Sequence, residues 1–361
     1  MNMRIDTVAP LVLLAVFSGS PSMIAVAQDR QDPVAGDRPD LSGTYNVATL
    51  TPLQRPDRFE GKATITAEEA KAIAEYWAGN LAKDAAPSDP DRDAPEKGGT
   101  EIYVREFSGA AGGVGGYNAF YVDIGESNFT IDGKYRTSII TQPENGKLPK
   151  MSKAGMKRAA NNAAAFRKNT GTAWWVGMDQ GPYDDPELRP LAERCILGFG
   201  STAGPPALPV MYNNLKRVVQ TDDYVMILNE MNHDARIVRM NAEHAPESVR
   251  KWLGDSVGHW DGDTLVVDTT NFREEPGLFM ASKDLHVMER ISRLDDDTLL
   301  YQFTVDDPTW TEPWSGEYPW PASEERVYEY ACHEGNYALG GILRGARLLE
   351  EEAQAEVGGG E

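Results

Sequence analysis

Apolar positions change period near the middle of the chain, and the change predicts two kinds of structure. At residues 70–82 they recur at helical spacing behind Thr66-Ala67-Glu68-Glu69, a capping-box sequence, so a helix is expected there. Residues 152–168, rich in Ala, Lys and Arg, read as a second helix, and Asp184-Asp185-Pro186-Glu187 as the start of a third. Residues 117–124 and 135–141 carry aromatic and β-branched side chains, and Asp132-Gly133 between Ile131 and Lys134 signals a type I′ hairpin. Past the Gly204-Pro205-Pro206 break, period 2 dominates. Short runs at 215–219, 224–230, 236–240, 259–260, 264–268, 286–292, 298–305 and 326–331 are separated by turns such as Asp261-Gly262-Asp263 and Asp295-Asp296-Asp297.

The expected fold is α+β and mainly β. An antiparallel β-meander, calycin-like and closed as a barrel or paired as a sandwich, occupies the C-terminal half, with the helices in the N-terminal half. The expected segments are a signal peptide at 1–27, a flexible lead-in at 28–39, a mixed helix and hairpin region at 40–205, an antiparallel β region at 206–347, and a disordered acidic, Gly-rich tail at 348–361. Residues 85–99, rich in Asp, Pro and Lys, and the glycine run 109–116 read as surface loops. The glycine run lacks the Lys-Ser/Thr ending of a phosphate loop. Residues 310–321 mix Trp with Pro and read as a stiff loop that closes one end of the barrel or displays its rings, with Trp314 a candidate for substrate contact.

Charge and the N-terminus narrow the setting. A formal net charge of −21 excludes nucleic acid and anionic lipid as partners, since both need a basic surface. Arg4, the apolar run at 11–17 and Ala25-Val26-Ala27 before Gln28 have the order of a secretory signal, and the apolar run is shorter than the roughly 20 residues of a membrane span. A periplasmic or secreted protein with no membrane span after cleavage is expected. In that setting Cys195 and Cys332 are candidates for a disulfide.

The candidate chemistry is histidine chemistry. All five histidines, His233, His244, His259, His286 and His333, fall within residues 233–333, most beside carboxylates or arginine. Imidazole exchanges protons near neutral pH, so His233, His259, His286 and His333, with Glu289 as carboxylate, are the candidate catalytic residues. Arg236, Arg290 and Asn336, with Trp314, are the candidate substrate contacts. Period 2 places His286, Met288 and Arg290 on one face of their strand and Val287, Glu289 and Ile291 on the other. At least three of the four candidate histidines are expected in one cavity with Arg236 or Arg290, and His244, before Ala245-Pro246, outside it. No pair has His-x-His or His-x-x-x-His spacing, so the sequence assigns neither a metal nor a cofactor.

Several longer stretches carry a resemblance. Asp40-Leu41-Ser42-Gly43, Arg136-Thr137-Ser138, Tyr212-Asn213-Asn214, His233-Asp234-Ala235-Arg236, the run from Trp252 to Val267 and the run from Tyr328 to Tyr337 are similar to those of an uncharacterised family of exported bacterial proteins. The resemblance covers most of the chain beyond the signal; it implies export and carries no mechanism. Two functions follow from the residues. One is an exported hydrolase or lyase using His/carboxylate acid–base chemistry on a small or carbohydrate-like substrate. The other is a non-catalytic binding protein whose barrel holds a small-molecule or glycan ligand.

Overall fold

The computed structural model describes residues 38–85, 122–165, 170–198, 200–202, 204–278 and 280–358, with isolated positions 87, 91 and 167. The signal peptide, nearly all of the lead-in, most of 85–99 and the whole glycine run lie outside these residues. Five strands precede the Gly-Pro-Pro break: β1 (Gly43–Asn46), β2 (Thr64–Ile65), β3 (Thr130–Ile131), β4 (Lys134–Arg136) and β5 (Ile140–Gln142). Eight follow it: β6 (Leu215–Gln220), β7 (Tyr224–Asn229), β8 (Ala235–Met240), β9 (Asp255–Asp261), β10 (Thr264–Thr270), β11 (His286–Arg293), β12 (Thr298–Asp306) and β13 (Trp314–Pro321). The helices are α1 (Ala67–Asp84), α2 (Lys153–Ala165) and α3 (Tyr337–Gly358).

Local chemistry places most of these where expected. The capping box at α1 is complete: Thr66 Oγ1 accepts from Glu69 N at 3.2 Å, and Glu69 Oε2 accepts from Thr66 N at 2.9 Å. Asp132 and Gly133 both take positive φ, 53° and 70°, the pair of conformations that a type I′ turn between β3 and β4 requires. The Asp185-Pro186 signal yields only one 3-10 turn, Pro186–Leu188, with Asp185 Oδ1 accepting from Glu187 N at 2.7 Å.

Ten strands form one sheet in the order β1-β6-β7-β8-β9-β10-β11-β12-β13-β5, and β2, β4 and β3 form a small second sheet. The large sheet curls into a half-barrel. Its first strand returns to the end of β13 through a Tyr45–Ala322 bridge and a 2.8 Å bond from Ser323 N to Thr44 O. The concave face is filled by side chains: Tyr45, Ile227, Val238, Val267, Val287, Tyr301, Trp314, Tyr318 and Trp320 all belong to one buried cluster. Tyr301 stacks on Trp320 with ring centroids 4.7 Å apart.

Three expectations are corrected. Residues 314–321 form β13 inside the sheet, with Trp314, Gly316, Tyr318 and Trp320 buried in strict alternation. The prolines are tolerated for a geometric reason. Glu317 N donates to Ile139 O on the β5 side, so by period 2 Pro319 and Pro321 would aim their missing N–H groups the same way, beyond the end of β5. Residues 326–331 form no strand. The tail expected to be disordered from 348 continues α3 to Gly358; Leu339, Ile342, Ala346 and Leu349 make its less exposed stripe, and Glu350 accepts from Trp175 Nε1 at 2.5 Å. The meander also has one parallel step, between β8 and β9. All the described residues belong to one compact unit, in which β1 and β5 are strands of the large sheet.

Candidate functional site

A parallel pair cannot be joined by a tight hairpin. Residues 241–254 therefore cross back over the convex face of the sheet to bring the chain from the end of β8 to the start of β9. The convex face is where the polar parity of β9, β10 and β11 lies: Asp255, Asp268 and His286 all point outward, opposite to the buried Ser256, Val267 and Val287. Asp268 pairs in register with Met288, which makes His286 its diagonal neighbour on β11, within reach of a long side chain.

His286 Nε2 meets Asp268 Oδ1 at 2.9 Å. The crossover lays His244 over the same carboxylate, with Nε2 3.3 Å from Asp268 Oδ1 but off the hydrogen-bonding direction, and Nδ1 3.3 Å from Asp255 Oδ2. The four side chains thus run Asp255, His244, Asp268, His286. Asp255 is 1% exposed and receives Lys251 Nζ at 2.6 Å, Arg239 Nη2 at 2.7 Å and Ala245 N at 2.9 Å. Burial opposes its charge, but the Lys251 and Ala245 donors prevail and hold its pKa down to about 2. Asp268 is lowered chiefly by the bond from His286, against a smaller cost of burial. His286 is raised by the same bond, again against burial. The site therefore pairs a fixed carboxylate with an imidazole that keeps its proton more tightly than a free one. Because Nε2 is engaged by Asp268, Nδ1, which has no partner among the described residues, is the nitrogen open to a substrate. Two residues along β11, Met288 joins Val266, Arg290, Gln302, Thr304 and Glu317 in lining a cleft of about 230 Å³ on the same face.

The other candidates are not gathered there. His233 Nδ1 lies 3.2 Å from Tyr330 O, in the region of the disulfide. His259 is exposed on β9 opposite Val266, and His333 is exposed in the turn before α3. The common cavity for His233, His259, His286 and His333 does not form; only His286 reaches a carboxylate site, and its companion is His244, the imidazole expected to stand apart. Glu289 is fully buried on the concave face, paired with both Nη atoms of Arg236 and accepting from Tyr301 Oη at 2.6 Å. Glu289 and Arg236 are therefore core residues with no approach for a substrate. Trp314, 1% exposed, is likewise core. Arg290 remains on the convex face, bonded to Asp261 at 2.9 Å and lining the cleft. Asn336 caps α3, accepting from Leu339 N at 3.2 Å, and lines a separate cleft of about 530 Å³ beside the disulfide. Cys195 and Cys332 are bonded, their Cα atoms 5.7 Å apart.

Gly254-Asp255-Ser256-Val257-Gly258 has the Gly-x-Ser-x-Gly spacing, so a serine hydrolase cannot be set aside for want of that motif. Ser256 is 3% exposed in mid-strand and shares a 2.8 Å bond with Thr269 Oγ1, whereas a nucleophile elbow needs a serine presented on a strand-to-helix turn. Among the described residues no group of three or more His, Cys, Asp or Glu is placed to hold a metal ion. No family model, no curated protein and no solved structure matches the chain.

Proposed function

We propose that the protein is an exported bacterial enzyme, a hydrolase or lyase, that performs acid–base chemistry at His286 on a small or carbohydrate-like substrate held against the convex face of the sheet. One observation carries the reading: His286 is fixed by Asp268 through Nε2 while Nδ1 has no partner among the described residues, on the face where Met288 and Arg290 of the same strand line a cleft. A carboxylate that orients an imidazole and sets its tautomer is what proton transfer needs, and Nδ1 can then take a proton as base or return it as acid. His244, engaged with Asp255 through Nδ1, lies 3.3 Å from Asp268 on the far side. Arg290, at the cleft, supplies the charge for an anionic or polarised substrate group. The disulfide supports the exported setting, since such bonds persist in oxidising compartments.

The alternative, a ligand held inside the barrel under a Trp/Pro lid, loses its lid because that segment is β13, and its interior because aromatic rings occupy it. The test is a screen of the disulfide-bonded protein against chromogenic esters, glycosides and uronate-containing oligosaccharides. Turnover that disappears in His286→Gln and Asp268→Asn, with melting temperature little changed, supports the proposal. Turnover undiminished in His286→Gln, or none with any substrate class, counts against it.

A further inference from the structure

Four basic side chains among the described residues are buried: Arg55, Arg189, Lys216 and Arg236. A buried cation is costly unless it is paired or gives up its proton. Arg189 is paired with Glu193 at 2.9 Å, and Arg236 with Glu289. Lys216, stripped of water, has its pKa pulled down to about 7 and donates to Thr202 O at 2.5 Å. Arg55 does neither. A guanidinium stays protonated in proteins, and the partners of this one are neutral: Nε donates to Thr137 Oγ1 at 3.1 Å and Nη1 to Glu144 O at 2.9 Å. Its Nη2 has no partner among the described residues.

Arg55 opens on a cleft of about 600 Å³ shared with Gly61, Arg136, Ser138, Thr141 and Asn145. Arg136, from the Arg136-Thr137-Ser138 stretch, adds a second guanidinium. One of its Nη atoms is held by Glu317 at 3.2 Å, and its Nε is buried with no partner. Asn145 spends its Oδ1 on Lys147 N at 2.9 Å, which leaves its amide as a donor. The backbone is fitted closely around Arg55: Gly146 stands at φ 69°, and a Cβ there would come within 2.6 Å of Ser138 Oγ and 3.0 Å of Arg55 Nε.

We infer that this cleft binds the oxyanion of a small molecule, a carboxylate or a phosphate, against Arg55 Nη2 with Arg136 and Asn145 as flanking donors. The exposed carboxylates of Glu60 and Glu144 also line the cleft, which disfavours polyanions and suits a compact head of low charge. An arginine with an unused edge is the side chain that matches such a head geometrically. The inference does not depend on the catalytic reading of His286.

The test is isothermal titration of the full, disulfide-bonded protein with inorganic phosphate and with D-glucuronate, at fixed ionic strength and with glucose as the neutral control. Saturable binding of either anion and none of glucose is expected, and which anion binds separates the phosphate source from the carboxylate source. Arg55→Gln should weaken it by about tenfold or more, the loss of one charge-assisted hydrogen bond. Asn145→Asp, at an exposed turn position whose bond to Lys147 N a carboxylate can keep, should weaken it comparably by placing a negative charge at the cleft, and it decides the matter should Arg55→Gln fail to fold. Binding of neither anion, equal binding of glucose, or affinity unchanged in the folded variants overturns the inference.

Discussion

Arg236 on β8 and Glu289 on β11 meet inside the half-barrel, both Nη atoms of one against both carboxylate oxygens of the other, although two strands separate them in the sheet. Removing one partner leaves the other charge buried and alone, a cost of about 3 to 5 kcal/mol. Glu289→Leu and Arg236→Met should therefore each show a large loss in urea unfolding, and the double variant should recover much of it. A Glu289→Leu variant as stable as the parent would show that the pair contributes nothing to the fold.

The same pair shows where the sequence is legible. Period 2 around 286–292 correctly separates His286 and Arg290 from Val287 and Glu289, but parity does not say which face is concave. The answer depends on the aromatic run at 310–321, where the presence of proline masked an alternation of Trp314, Gly316, Tyr318 and Trp320 that is plain once the strand is seen. Reading that strand as a loop makes Trp314 a substrate contact and leaves Glu289 a catalytic carboxylate, whereas both belong to the core. The capping box, the Asp132-Gly133 turn and the disulfide are local or pairwise signals, and they hold. His244 was beyond reach, because its place depends on one parallel step that no local pattern encodes. Asp268 was within reach: it shares outward parity with Val266 in an otherwise apolar run.

His286 should titrate above the ordinary imidazole value because of Asp268. Its contribution to stability is full below the unfolded pKa of about 6.5 and is lost as pH rises through the higher folded value. The lowered Asp268 contributes above its unfolded pKa of about 3.9 and is lost as pH falls through the folded one. The dyad is thus most favourable between about pH 4 and pH 6.5. NMR titration of the His286 ring should show its pKa falling in Asp268→Asn; an unchanged value would place the cause elsewhere.

Lys216 gives the opposite dependence on pH. Its folded pKa of about 7 lies below the unfolded value, so charging it costs stability as pH falls from about 10.4 to about 7, by about 1.4 kcal/mol per unit at most. Relative to Lys216→Met, the parent should gain stability between pH 6 and pH 9.5 in chemical denaturation. Parallel curves for the two proteins would mean that Lys216 keeps its ordinary affinity for protons.

The Cys195–Cys332 bond spans a sequence separation of 137 residues. Cross-linking so long a loop restricts the unfolded chain, and the entropic treatment assigns it about 5 kcal/mol. Cys195→Ala with Cys332→Ala should lower the urea midpoint accordingly without altering the slope greatly, and thiol labelling of the denatured, unreduced parent should find both cysteines blocked. Two reactive thiols in freshly isolated protein would refute the bond.

His244 differs from Asp255, Asp268 and His286 in riding on the crossover, while the other three sit on strands. Strand residues share the protection of the whole ladder, whereas a segment laid over the sheet opens alone, at lower free energy. The cluster therefore has two degrees of permanence. Asp268 and His286 stay together for as long as the sheet lasts, but the tie back to Asp255 exists only while residues 241–254 lie flat. Amide exchange should be faster along the crossover than in β10 and β11, and whatever grips that segment adjusts the proton affinity of the dyad without moving a strand.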